Sequence, residues 1–481
     1  MNYYIGLDLG TSALKGLLVD ERGTIIKESS ASYPVNYPQD GWSEQNPQDW
    51  LNAALEVLAA LKEGVEDQIK GVSIGGQMHG LVILDEDDKV IRPAILWNDG
   101  RTQAETDYLN NVVGKKVISG YTANIAFAGF TAPKILWLKK NEPENFARIR
   151  KIMLPKDYLA YKLTGVFSTD YSDAGGTLLL DVKNKHWCHN MLELTGIQAE
   201  FLPKLYDSFE VTGRVRPEII PNAVLTAGAG DNAAAAIGTG TVNDGDCNIS
   251  LGTSGTVFIA GDKFVEDGAN ALHSFVHANG KWHLLGCILS AASCNKWWLE
   301  DIIDTDDYDG ATQGTEPGEN NVFFLPYLMG ERSPHNDVNA RGAFIGMRAN
   351  TTREEMSLAV LEGVSFALRD CVEAARKGGV EISKATVSGG GAKSRVWREI
   401  LANVLNCEIA SLETEQGPAY GAAILAMVGS GLYATVEDAT SALLKRKEVV
   451  RPEASLVEKY EKKYQIFRTM YPALKDIFKQ I

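Results

Sequence analysis

The tetrapeptide Leu9-Gly10-Thr11-Ser12 recurs as Leu251-Gly252-Thr253-Ser254, 242 positions later, and both copies sit between apolar, β-branched runs. The first context is YYIGLD, LGTSA, LKGLLVD and, after the turn ERG, TIIKESS; the second is NISLGTSGTVFIAGDKF from Asn248. Runs of this length bounded by glycine-containing turns read as strands joined by a short loop. A donor-rich loop carried twice in the same strand-loop-strand setting predicts two related domains, 1–244 and 245–481.

Between and after the hairpins, strand and helix patterns alternate. KGVSIGGQMHGLVILD from Lys70 reads as strand, glycine loop, strand, while Pro47 to Leu61 and Thr131 to Lys140 carry helical spacing. EEMSLAVLEGVSFALRDCVEAARKGG is a long helix closed by Gly378 and Gly379, and ATVSGGGAKSRVWREILANVLN is strand, glycine turn, helix. The helix opening GPAYGAA, with small residues along one side, is expected to pack closely on the strand layer that precedes SGGGAKS. Both halves are therefore expected to be α/β.

With 481 residues, 45% hydrophobic and 23% charged, the chain has enough apolar material for ordinary cores, and long disorder is not expected. A formal charge of -15 argues against nucleic acid and anionic membrane surfaces as partners. Six scattered cysteines without a CxxC pair predict reduced thiols. The apolar run from Tyr420 to Ala434 is too short to span a bilayer and holds three glycines, and the N-terminus opens on a strand; a soluble, cytoplasmic protein is expected.

Asp8 ends the first strand-like run and is followed by Gly10, Thr11 and Ser12, with Lys15 beyond. A carboxylate at a strand end suits hydrated Mg²⁺, and the donors after it suit phosphate oxygens. An ordinary polar turn is the alternative, but the second copy, Gly252, Thr253 and Ser254, favours two loops on one polyphosphate. No GxxxxGK[ST] and no GxSxG occur, and GLDLGTS is not GxGxxG. Asp231, in AGAGDNAAAAIG beside Asn232, reads either as a helix N-cap or as a general base with room for substrate.

GGQMHG offers Gln77, Met78 and His79, and WNDGRTQAE offers Trp97, Asn98, Asp99 and Arg101. These are donors, acceptors and apolar faces of the kind that read a polyol, although each also has an ordinary structural explanation. The glycines Gly389, Gly390 and Gly391 of SGGGAKS suit either tight strand-helix packing or backbone approach to a nucleotide. His186, Cys188 and His189, and likewise His273, His277 and His283, lack zinc-site spacing; His335, in ERSPHNDVNARG, is expected in a surface or cleft loop.

Taken together, YIGLDLGTSALKGLLVD, GGQMHG, RPAILWNDGR, GFTAPKILWLKKNEP, LPKDYLAYKLTG, FSTDYSDAGGT, GAGDNAAAAIGTG, SLGTSG, RGAFIGMRANTTREEMSLAVLEG and SGGGAKS resemble the FGGY carbohydrate kinases of the actin, sugar kinase and Hsp70 superfamily. The resemblance spans essentially the whole chain and is strongest to members acting on D-xylulose. It implies two ribonuclease H-like α/β domains with an interdomain cleft, the first for the sugar and the first phosphate hairpin, the second for the nucleotide. It implies ATP-dependent phosphorylation of D-xylulose to D-xylulose 5-phosphate with Mg²⁺. Asp231 becomes the general base and Asp8 the Mg²⁺-organising carboxylate, both near the metal. Gln77, Met78, His79, Trp97, Asn98, Asp99, Arg101 and Asn232 become sugar contacts. Thr11, Ser12, Lys15, Gly252, Thr253, Ser254 and Gly389 to Gly391 become nucleotide contacts. Another ketose or polyol, such as ribulose or glycerol, is the alternative substrate; an actin- or Hsp70-like ATPase is the remote alternative. A homodimer is left open.

Overall fold

The computed structural model describes residues 1–308, 310–413 and 417–481. The chain forms two compact units: Met1–Val242 with Ser274–Trp282 and Gln416–Leu444, and Asn243–His273 with His283–Glu415 and Lys445–Ile481. Packing thus groups two late segments with the first unit, whereas the sequence suggested a single division near residue 244.

The first unit is built on a sheet of β1 (Tyr3–Leu9), β2 (Ala13–Asp20), β3 (Ile25–Ser32), β4 (Ile69–Gly76), β5 (Val211–Arg214), β6 (Val224–Thr226) and the short β7 (Ala229–Gly230). Their order is β3-β2-β1-β4-β6-β5, with β7 on the end of β4. β1 is buried on both faces along most of its length, as a near-continuous apolar run requires of a central strand, whereas β3 alternates half-buried and exposed. β1 runs antiparallel to β2 and parallel to β4.

Two helices cover this sheet. Pro47–Lys62 begins at the Asn46 cap with Pro47 in its first turn and buries Trp50, Ala53, Ala54, Val57, Leu58 and Leu61. Gly417–Gly429 is buried along most of its length and packs on β1 and β4. That close approach depends on glycine, since a Cβ on Gly6 would lie 1.9 Å from the Ala419 carbonyl oxygen; Gly421 likewise lets the helix approach the helix Asp231–Gly238, where its Cβ would lie 1.8 Å from the Ala234 carbonyl oxygen. The helix packs closely, but on β1 and β4 of the first unit rather than on the second-half strand layer that the sequence suggested.

In the second unit, β8 (Cys247–Leu251), β9 (Gly255–Gly261), β10 (Trp282–Ile288), β11 (Lys384–Ser388), β12 (Glu408–Leu412) and β13 (Arg446–Val450) follow the order β10-β9-β8-β11-β12-β13. β8 is antiparallel to β9 and parallel to β11, β11 is parallel to β12, and β12 is antiparallel to β13. β8 pairs with β9 and β11 in the same senses as β1 with β2 and β4, so the repeated tetrapeptide marks a repeated hairpin, each copy being the turn between the first two strands; the last two strands are exchanged, with β6 beside β4 in the first sheet and β12 beside β11 in the second. The helix Arg353–Lys377 carries a capping box of Thr352 and Glu355. The helix Arg395–Leu405, capped by Ser394, buries Trp397, Ile400, Leu401, Val404 and Leu405. A buried ion pair joins Glu362 to Lys463 of the C-terminal helix Ala454–Phe478. No helix among the described residues is long and apolar enough to cross a membrane.

Gly421→Ala should lower the unfolding temperature by several degrees, because overpacking of this kind costs about 1–3 kcal/mol. Gly120→Ala, in the helix Lys115–Thr122 where an added Cβ meets nothing within 4 Å, should leave it unchanged or raise it. Equal melting temperatures for wild type and Gly421→Ala, by calorimetry, would refute the close-packing account.

Candidate active site

The first loop is held through its carbonyl groups. Gln45 Nε2 donates to Thr11 O at 2.6 Å, the Tyr33 hydroxyl donates to Gly10 O at 2.6 Å, and Tyr33 N donates to Ser12 O at 3.1 Å. Gln77 joins this brace: its backbone N donates to Leu9 O at 2.8 Å, and Nε2 donates to Gln45 Oε1 at 3.1 Å. Trp97 Nε1 donates to Thr11 Oγ1 at 3.0 Å while much of the indole stays exposed. Lys15 lies opposite Asp8 in the β1-β2 ladder, and its ammonium pairs with Glu28 at 3.1 Å.

Strand β4 aligns two carboxyl groups. Gly75 pairs with Asp8 on one side and with Ala229 on the other. Two residues beyond Ala229, Asp231 opens the helix Asp231–Gly238, so Asp8 and Asp231 arise from strands flanking one glycine-ended strand. The turn into β7 requires Gly228, which has φ of +75° and would place a Cβ 2.2 Å from Ile74 O. Gly230 takes the N-cap position that the sequence offered to Asp231; Asp231 is the first helical residue, and its Oδ1 accepts from Asn232 N at 2.7 Å and Asn232 Nδ2 at 3.0 Å. Burial pushes the Asp231 carboxyl up to about 6, against that backbone hydrogen bond. Burial, reinforced by the negative charge of Asp231 and opposed by Lys15, pushes Asp8 up to about 7. A carboxyl near 6 is largely ionised at neutral pH and still basic enough to take a proton from an attacking hydroxyl.

Met78 lies against the two residues that flank Asp231. A Cβ on Gly230 would meet the Met78 side chain at 3.0 Å, and Asn232 Nδ2 is 3.9 Å from Met78 Sδ. His79 Nδ1 is 2.7 Å from Gly176 O; since a carbonyl only accepts, Nδ1 carries the proton. Asn98 is exposed nearby in sequence to Trp97, whereas Asp99 and Arg101 are turned to internal partners. Asp99 accepts from Ser43 N at 2.6 Å and from three Arg101 nitrogens, and Arg101 also reaches Glu44 at 2.7 Å and stacks 3.6 Å above the Trp42 ring. Gln77, Asp99 and Arg101 therefore shape the segments that carry Met78 and Trp97.

In the second unit the glycine loop lies directly on the second hairpin. A Cβ on Gly389 would sit 2.7 Å from Leu251 O, and one on Gly391 would sit 2.9 Å from both Leu251 Cβ and the Trp397 ring, so these two glycines satisfy packing. Gly390 faces open space, which leaves backbone free for a ligand. The loop Gly252–Ser254 is anchored from behind, with Ala292 N donating to Gly252 O at 2.8 Å and Ser293 Oγ donating to Thr253 O at 2.7 Å.

Several contributing residues carry no sequence signal of their own. Gln45 and Tyr33 look like ordinary strand and loop residues, yet they clamp the first loop. Ser172 Oγ accepts from Gly230 N at 3.1 Å and donates to Asp170, which pairs with the buried Lys156 at 2.9 Å; this chain fixes the backbone entering Asp231. The FSTDYSDAGGT run placed Asp170 and Ser172 in the resemblance without indicating that role.

The profile of the N-terminal domain of the FGGY family of carbohydrate kinases matches residues 3–238, and that of the C-terminal domain matches residues 247–430. A xylulose kinase from Lactococcus lactis is 40% identical over 496 aligned residues, covering 100% of this chain and 99% of the relative. One from Escherichia coli is 39% identical, covering 98% of this chain and 99% of the relative. The crystal structure of a ligand-bound xylulose kinase from Lactobacillus acidophilus superposes with a TM-score of 0.95 at 27% identity, over 100% of both chains. The strand order of both units, the two donor loops and the matches over the whole length agree: the chain belongs to the FGGY family of carbohydrate kinases.

Proposed function

We propose that this protein transfers the γ-phosphoryl group of ATP to D-xylulose, forming D-xylulose 5-phosphate. The observation that carries the reading is the Asp231 carboxyl, raised by burial and set against Met78 and Asn232 in a chain that matches xylulose kinases end to end. The terminal hydroxyl oxygen of the sugar bonds to the γ-phosphorus as the bond to the β-γ bridging oxygen breaks and ADP leaves. Asp231 takes the hydroxyl proton late, because the phosphoryl group is only loosely bonded at the transition state.

The roles divide along the chain, with residues 1–244 serving the sugar and the first phosphate loop and residues 245–481 serving the nucleotide. Met78, His79, Asn232, Trp97 and Asn98 contact the ketose, while Gln77, Asp99 and Arg101 hold that surface in shape. Thr11, Ser12, Gly252, Thr253, Ser254 and Gly390 present donors to ATP. Asp8 and Asp231 suit Mg²⁺, which commonly takes one or two carboxylates together with water and phosphate oxygens; the ion would neutralise charge on the transferring group. Among the described residues no three acidic, histidine or cysteine side chains form a metal cage, so the nucleotide would complete such a site.

Purified protein should consume ATP with Mg²⁺ and D-xylulose, and far less with L-xylulose, D-ribulose, L-ribulose, glycerol, gluconate or no sugar. Preference for another sugar would overturn the substrate reading, and sugar-independent hydrolysis alone would overturn the kinase reading. Asp231→Asn should lower kcat by about 10²–10⁴-fold with ATP affinity intact; loss of ATP binding instead would remove the general-base role. Asp8→Asn should raise the Mg²⁺ concentration needed for half-maximal rate, and an unchanged Mg²⁺ titration would argue against its role.

A further inference from the structure

Lys134 is fully buried, and both hydrogen bonds of its side chain go to backbone: Nζ donates to His79 O at 2.8 Å and to Gly129 O at 2.6 Å. Among the described residues no carboxylate lies within ion-pair distance of it. Burial lowers its pKa to about 7, with Asp99 acting to raise it and Arg101 to lower it. A buried cation without a counter-charge is costly, and an apolar residue of similar length would fill the same space without that cost. Its placement calls for an explanation beyond packing.

The two carbonyl groups belong to the segments that carry the sugar contacts. His79 is the centre of a three-residue turn closed by Gly80 N donating to Met78 O at 2.9 Å, and its φ is +69°, a region that non-glycine residues enter at a cost. Such a turn persists only when its surroundings over-determine it, and each part of His79 is held. The ring stacks on Phe130 with centroids 4.5 Å apart, Nδ1 meets Gly176 O, and the carbonyl receives Thr131 Oγ1 at 3.1 Å as well as Lys134. Gly176 is small by necessity, because a Cβ there would lie 2.5 Å from His79 Nδ1. The second carbonyl, of Gly129, belongs to a residue pressed on Trp97, where a Cβ would lie 2.3 Å from Trp97 O. One ammonium thus ties the Met78-His79 turn to the segment against Trp97.

We propose that Lys134 is a positioning residue for the sugar: it locks the strained Met78-His79-Gly80 turn in the conformation that presents Met78 and His79 to the ketose. This rests on the assignment of that turn to the sugar made above. Lys134 touches neither substrate; it acts through the carbonyl of His79.

The test is steady-state kinetics on the full-length Lys134→Met, Thr131→Val and Met78→Ala proteins, each with a melting temperature and with KM for D-xylulose and for ATP measured separately. Lys134→Met should remain folded, raise KM for D-xylulose at least tenfold and leave KM for ATP within twofold. Thr131→Val, which removes the second donor to the same carbonyl, should show the same selective change at a few-fold and decides the matter if Lys134→Met does not fold. A folded Lys134→Met protein with wild-type KM for D-xylulose, or one with both KM values raised alike and a depressed melting temperature, overturns the proposal. If Met78→Ala raises KM for D-xylulose while the Lys134 and Thr131 variants do not, the sugar assignment stands and the positioning role falls. If none of the three changes it, both fall.

Discussion

The pairing of Gly75 with Asp8 on one flank and Ala229 on the other is the constraint around which the first unit is arranged. Adjacent strands lie about 4.8 Å apart, so two strands flanking a third bring their ends within reach of one substrate. A side chain at Gly75 or Gly76 would press on Ala234 or on the stem of Lys156, and at Gly76 the separation would be 2.8 Å. The glycine end of β4 therefore lets the helix carrying Asp231 and the helix carrying Lys156 close on the same strand. The price is two carboxyl groups in a low-dielectric setting, visible in the raised pKa of both Asp8 and Asp231.

Around that pair the protein uses backbone carbonyl groups as attachment points. Gln45, Tyr33 and Gln77 hold the first loop from behind through Leu9, Gly10 and Thr11, and Lys134 and Thr131 hold the sugar-side turn through His79. Anchoring by carbonyl oxygens fixes the backbone of a loop, which is the requirement for a surface that must order a flexible polyol without reorganising. Lys156 does related work beneath Asp231, where it gathers Asp157, Asp170 and Asp173 and reaches Ala227 O at 3.3 Å.

Both loops, the first strands of each sheet and several helices were legible because their signals are local. Strands β1, β2, β8 and β9 follow from apolar runs interrupted by LGTS, and the helices Pro47–Lys62 and Arg395–Leu405 from apolar spacing and caps. The glycine loop was legible as a motif, yet the division of labour within it was not: Gly389 and Gly391 answer to Leu251 and Trp397, and Gly390 alone faces open space. Asp99 and Arg101 looked like ligand readers because a charged pair next to tryptophan has that composition; their internal bonding depends on Ser43, Glu44 and Trp42, more than 50 residues earlier.

By itself the sequence determined the repeated strand-loop-strand plan, the family and the positions of Asp8 and Asp231, since each is written in contiguous residues whose hydrophobic period and turn chemistry act over a few ångströms. Tertiary structure alone decided which residues meet: that Gly417–Gly429 packs on β1, that Gln77 serves the first loop, and that Lys134 lies buried against His79 O. A lysine one turn into an amphipathic helix reads as a surface residue from any local window. Its burial is set by long-range packing and by the positions of two distant carbonyl groups, which no local pattern encodes.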